Sequence, residues 1–216
     1  MAAGQATSAA DFLPRVQTIP ALQRAAKRCE GCPLYLRATQ TVFGEGPENA
    51  RIMMIGEQPG DQEDRQGRPF VGGAGKLLDR ALNDAGVDRS EVYVTNAVKH
   101  FKWVERGKRR IHQKPNVAEI QACRPWLEAE IRTTKPDLVV CLGATAAQAL
   151  MGRAFRVTAD RGKFFEMAWG SLTATVHPSS LLRIKDEDER RSEYERFVRD
   201  LAAVAEKLRE IRAETR

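Results

Sequence analysis

Arg51-Ile52-Met53-Met54-Ile55-Gly56-Glu57-Gln58-Pro59-Gly60-Asp61 decides the fold. An uninterrupted apolar run, 52–55, is closed by glycine and then by polar, turn-forming residues. So short a run reads as a strand buried on both faces. Comparable runs recur at 92–95, closed by Asn96, and at 138–142, closed by Gly143. A pair at 164–167 and 172–176 reads as a hairpin turning at Trp169-Gly170, its second strand feeding His177. Helical patterns separate these runs. The stretch 75–85 puts Leu77, Leu78, Ala81, Leu82 and Ala85 on one face, with Gly86 as its stop. Ile120, Leu127 and Ile131 mark 117–133, and 144–150 begins another helix. Strands alternating with helices predict an α/β, doubly wound domain. In that architecture the carboxyl ends of the strands open onto one crevice, which brings Glu57 and His177 together.

The 216 residues suffice for one domain with a substantial core, placed at 21–216, with a flexible stretch at 1–20. A helix is expected at 22–28, a polar loop at 61–69, a basic loop at 99–114, and a long charged helix from 186 with one packed face. The formal net charge of +6 favours polyanionic partners without requiring them. No run approaches the roughly 20 apolar residues that cross a bilayer, and the first residues lack the charged and apolar regions of a secretion signal. A cytoplasmic or nucleoid-associated protein is expected, with nothing that demands more than a monomer.

In a reducing compartment the four cysteines favour metal over disulfides. Cys29 and Cys32 form a Cys-x-x-Cys pair, while Cys123 and Cys141 stand alone. Four thiolates suit a [4Fe–4S] cluster; zinc, or simply buried thiols, remain open on spacing alone.

The other motifs are each ambiguous. In Gly56–Gly60 the glycines allow close backbone approach, Pro59 stiffens the turn, and Glu57 could orient a nucleophile or steady a cation. Phe70, in Gly67-Arg68-Pro69-Phe70-Val71-Gly72, could stack on a base or plug the core. Gly72–Lys76 fails as a phosphate loop because Leu77 replaces the required Ser/Thr. The amide of Asn96 can both donate and accept against a base edge. Lys99, Lys102, Arg106, Lys108, Arg109, Arg110 and Lys114, interleaved with Phe101 and Trp103, fit a phosphate-tracking loop around His112. His177-Pro178-Ser179-Ser180 places an imidazole where it can donate to a developing anion.

In their order, these motifs with Thr95-Asn96-Ala97-Val98-Lys99 and His177-Pro178-Ser179-Ser180-Leu181-Leu182-Arg183 resemble the iron–sulfur uracil-DNA glycosylases over about residues 25–205. The chain is similar to the family-4 enzymes with two departures: Gln58 where alanine is usual, and an Arg-rich insertion around His112. Both resemble the covalent-trapping X class. The resemblance implies a three-layer α/β/α sandwich on a four-stranded parallel sheet, and a [4Fe–4S] cluster on Cys29, Cys32, Cys123 and Cys141. It implies uracil excision from DNA, single-stranded DNA favoured. Phe70 would stack on uracil, Asn96 would read its edge, Gln58 and Asp61 would line the pocket, and His177 would stabilise the uracil anion. His112 would then bond to C1′ with Glu57 assisting. Lys108, Arg109, Arg110, Lys114, Ser179 and Arg183 are the expected DNA contacts. The rivals are a family-4 enzyme that hydrolyses and turns over, and a non-catalytic DNA-binding or redox-sensing iron–sulfur protein.

Overall fold

The computed structural model describes residues 8–214. Its central sheet takes β1 (Ile52–Gly56), β2 (Val92–Asn96), β5 (Leu138–Leu142), β6 (Phe164–Met167) and β7 (Gly170–Thr175) in the order β2-β1-β5-β7-β6. The first four are mutually parallel; β6 runs antiparallel to β7. The four parallel strands expected are therefore joined by a fifth at the edge. It comes from the hairpin at Trp169-Gly170, where Met167 pairs with Gly170.

Alternation along the buried strands divides the core in two. Met53, Ile55, Tyr93, Val139 and Leu172 face α1 (Ile19–Ala26), α4 (Val117–Thr134) and α5 (Ala144–Met151). Ile52, Met54, Val94, Val140 and Leu142 face α3 (Gly73–Asp84), α7 (Pro178–Leu181) and α8 (Glu187–Glu214). This is the three-layer α/β/α sandwich. Short α6 (Val157–Asp160) leads into β6. Among the described residues, no helix is long and apolar enough to cross a membrane.

Three expectations are corrected. The polar stretch 61–69 contains α2 (Asp61–Gln66), whose entry is fixed by Glu63 accepting from the Gly60 N–H (3.1 Å) and the Gly72 N–H (2.7 Å). The basic stretch is an antiparallel ribbon, β3 (Trp103–Arg106) and β4 (Arg109–His112), turning through Gly107-Lys108. Gly107 takes φ 60°, as a glycine-first hairpin turn requires. Of the N-terminal stretch, residues 1–7 lie outside the described residues. From Ser8 onward it is ordered by packing: residues 9–12 form a 3-10 turn capped by Ser8, Ala9 is buried, and Thr18 caps α1.

Candidate active site

The carboxyl ends of β1, β2, β5 and β7 surround a cavity of about 590 Å³. Glu57 leaves β1 into it. Its Oε2 accepts a hydrogen bond from the Thr145 hydroxyl at the start of α5. Its Oε1 lies 3.5 Å from Nε2 of His112, the last residue of β4. Burial lowers the His112 pKa, Glu57 opposes and Arg183 reinforces the fall, so the ring favours its neutral form. Thr145 was not singled out in the sequence; a lone threonine after a glycine-ended strand gives no signal of its own.

His177 follows β7 and caps α7. Its Nδ1 accepts the Ser179 N–H at 3.1 Å, which assigns the proton to Nε2. Burial, aided by Arg183 and His112, pushes its pKa down to about 4, so it is a neutral donor. The Phe70 ring lies nearly parallel to it, 24° between planes and 6.3 Å between centroids. Phe70 sits at φ 56°, and α3 packs directly on its backbone: a Cβ on Gly75 would come 1.6 Å from the Phe70 carbonyl oxygen. Gly56 matters similarly, since its Cβ would lie 2.4 Å from Asn96 Oδ1 and 2.8 Å from Phe70 Cζ. The Asn96 amide lines the cavity.

The ribbon that carries His112 is tied down by side chains. Gln58 Nε2 donates to the carbonyls of Gln113 (2.8 Å) and Lys102 (3.3 Å), and its Oε1 accepts the Lys102 N–H at 3.0 Å. Gln58 lines the cavity, and its amide is engaged in binding the base of the ribbon. Arg110 pairs with Asp64 (2.6 Å) and Asp61 (2.5 Å) and donates to the Thr39 hydroxyl. Against the effect of burial, these carboxylates raise the Arg110 pKa, and Arg65 and Arg110 hold Asp61 below its usual value. Asp61, expected as a pocket residue, anchors the ribbon here, and Arg110, expected as a DNA contact, is its clamp. Trp103 Nε1 donates to the Arg37 carbonyl at 2.9 Å, and Lys102 pairs with Glu119 at 2.8 Å. Lys99, expected in a phosphate-tracking basic loop, is buried at 1% exposure. Lys108 and Arg109 are exposed at the ribbon tip, while Lys114, Ser179 and Arg183 line the cavity.

Three of the cysteines share one environment. Cys123 Sγ accepts the Lys99 N–H at 3.2 Å, and Cys29 Sγ accepts Trp126 Nε1–H at 3.2 Å. Burial pushes the Cys123 thiol up to about 12, and it also feels Cys32 and Cys29. Cys141 shares their apolar layer but is not among the groups that act on Cys123. It lies within β5, paired with Ile55 and Ala174, and burial alone pushes it up to about 12. His100, which the sequence reading passed over, follows Lys99 directly and is buried at 4% exposure. Its Nε2 is 2.9 Å from the Thr41 hydroxyl, and burial lowers its pKa to about 4. As the side chains stand, no three His, Cys, Asp or Glu groups among the described residues are gathered as tightly as a metal ion would hold them.

Comparison with known proteins identifies a family. Residues 43–202 match the family described as the uracil DNA glycosylase superfamily. A type-4 uracil-DNA glycosylase of Thermotoga maritima is 37% identical over 179 residues, 82% of this chain and 90% of that protein. One of Pyrobaculum aerophilum is 38% identical over 170 residues, covering 75% and 83% respectively. A type-5 uracil-DNA glycosylase of the same organism is 32% identical over 153 residues, 63% of this chain and 64% of its own length.

Proposed function

The chain belongs to the uracil DNA glycosylase superfamily, and from that premise we propose that it excises uracil from DNA and ends covalently joined to the sugar through His112. The observation that carries this reading is the position of His112. A neutral imidazole stands at the cavity mouth, 3.5 Å from Glu57, on a ribbon clamped in place by Gln58 and Arg110.

A stacked base is out of reach, so uracil enters flipped out or from single-stranded DNA. Phe70 stacks on it and the Asn96 amide meets its polar edge. As the N1–C1′ bond breaks, its electron pair leaves with uracil, and the His177 Nε2–H donates to the anion forming at O2. The sugar left behind is electron-poor at C1′. A lone pair on the neutral His112 ring attacks that carbon and forms an N–C1′ bond. The alkylated ring is cationic until it loses its remaining N–H proton, and Glu57, steadied by Thr145, balances that charge. Lys108, Arg109, Lys114, Ser179 and Arg183 meet the phosphates; Arg110 is already committed.

The test is a denaturing gel with labelled, uracil-containing single-stranded DNA. Wild-type protein gives a band that survives SDS and heat, and His112→Ser loses that band while still releasing uracil by water attack. Multiple turnover of uracil with no surviving band would make the protein a hydrolytic glycosylase and His112 a DNA contact.

The same proposal includes a [4Fe–4S] cluster held by Cys29, Cys32, Cys123 and His100, with His100 in the place expected for Cys141. The fit rests on three buried thiols, N–H donors aimed at two of the sulfurs, and an imidazole one residue from the Cys123 donor. Imidazole replaces thiolate in some iron–sulfur centres, and N–H···S bonds support thiolate ligands. When bound, such a cluster cross-links these segments and braces the surface facing DNA. Cys141→Ser is expected to retain iron and sulfide at wild-type stoichiometry. His100→Ala is expected to lose or degrade the centre, seen as bleaching near 400 nm (roughly).

A further inference from the structure

β2 is an edge strand. Glu45 covers part of its open side by exchanging both backbone hydrogen bonds with Val94. Two residues on, the Asn96 carbonyl points the same way, beyond Glu45. Asn96 is only 3% exposed, and a buried carbonyl left without a partner is costly. Lys99 supplies the partner. Its chain folds back so that Nζ donates to Asn96 O (2.8 Å) and to Thr95 Oγ1 (2.6 Å) and pairs with Glu130, whose side chain is fully buried. Glu130, on α4, also accepts from the Tyr93 hydroxyl (3.0 Å) and the Gly44 N–H (3.1 Å). On the opposite side, the Ala97 and Val98 N–H groups donate to Gly56 O (2.9 Å) and Glu57 O (3.0 Å). The turn 96–99 is thus held between the catalytic end of β1 and α4.

We propose that the buried Lys99–Glu130 pair is a positioning device for uracil: it fixes the Asn96 peptide, and through it the amide that selects the base. This rests on the reading of Asn96 as a uracil contact. Stability does not require that the pair be charged, because a buried ion pair is often matched by neutral groups of similar volume. A neutral pair of that kind cannot direct several donors from one nitrogen, one of them onto Asn96 O.

The experiment compares Lys99→Met/Glu130→Gln with wild type and Asn96→Ala, all as cluster-loaded full-length protein. Lys99→Met alone would leave Glu130 buried and unpaired, so the paired replacement is the informative one. The readouts are inhibition by free uracil, the single-turnover rate of uracil release and the protein concentration that half-saturates it, affinity for uracil-free DNA, melting temperature and iron content. The double variant is expected to melt lower, because Asn96 O loses its buried donor, but to stay folded with wild-type iron and uracil-free DNA affinity. It is expected to bind uracil about tenfold more weakly, the worth of one hydrogen bond, with the half-saturating concentration moving more than the maximal single-turnover rate. Added to Asn96→Ala, that loss should largely disappear, because both act on one contact. Lys99→Arg, which keeps the charge for Glu130 but carries its donors on a planar fork, should show the same weakening. Wild-type uracil inhibition in the double variant or in Lys99→Arg overturns the inference. If Asn96→Ala itself binds uracil normally, the reading of Asn96 falls and the inference with it. An impaired Asn96→Ala beside a normal double variant removes the inference alone.

Discussion

The floor of the cavity and the ribbon over its mouth are built in different ways. The floor, with Glu57, Asn96 and His177, sits on the ends of parallel strands whose ladders and two apolar layers are wholly buried. The ribbon, with His112, stands outside that sheet as β3–β4, leaves Val104 and Ile111 exposed, and reaches the body largely through side-chain bonds. In the proposed reaction, base recognition and anion stabilisation therefore belong to the rigid part. The nucleophile belongs to an element that could be loosened without unfolding the sheet. Uracil release and adduct formation should then be separable by mutation.

The largest expected effect strikes the floor. Gly56→Ala would press its Cβ against Asn96 Oδ1 and Phe70 Cζ, both side-chain ends that can move but whose movement spoils the pocket. A displacement of about 1 Å at a reacting site costs on the order of 100-fold. Uracil release should fall by that factor and the adduct with it, while the melting temperature stays near wild type. Loss of the adduct with unimpaired release would show that the floor is not where the base is held.

A smaller and more selective effect is expected at the clamp. Arg110→Lys keeps a positive charge but cannot span Asp61, Asp64 and the Thr39 hydroxyl as a planar guanidinium does. Asp64, fully buried, loses part of its charge-assisted pairing, an interaction of about 1.5–3 kcal/mol. Adduct formation should slow by about tenfold or more, with uracil release changed far less. Equal loss of both activities, measured side by side in single-turnover assays, would join floor and ribbon into one functional unit.

The same contrast accounts for what the sequence revealed. The floor was legible because buried strands leave continuous apolar runs, and because Gly56, Asn96 and His177 close those runs abruptly. The ribbon was not, since Trp103–Arg106 and Arg109–His112 are mostly polar and set by distant partners. Gln58 acts across 44 and 55 residues, and Arg110 across 46 to Asp64. The glycine of Gly107-Lys108 was the local signal available for a hairpin. Composition also misassigned charges: Lys99 and Arg110 counted as basic-loop residues, yet each is spoken for by carboxylates. The resemblance assigned Cys141 as the fourth ligand, whereas the thiols that act on Cys123 are Cys32 and Cys29. His100 carried no signal beside the more prominent His112.

The smallest expected effect is a difference in pH dependence. Both histidines act while neutral, and both pKa values are lowered, so acid inactivates each and the lowering moves that loss to lower pH. For His177 the fall is to about 4, with burial, Arg183 and His112 all acting in the same direction. His112 is half exposed, and Glu57 opposes the burial and Arg183 contributions, so its fall is smaller. As pH decreases, adduct formation should therefore be lost before uracil release, leaving a window in which the protein frees uracil and lets water finish the reaction. Arg183→Gln removes a cation that disfavours protonated His112, so its pKa should rise and the acid limb of adduct formation should move to higher pH. Parallel profiles of gel-stable adduct and released uracil measure both limbs. Coincident limbs would mean that one group, not two, governs the chemistry, and the division of labour between floor and ribbon would then fail at the step where it matters most.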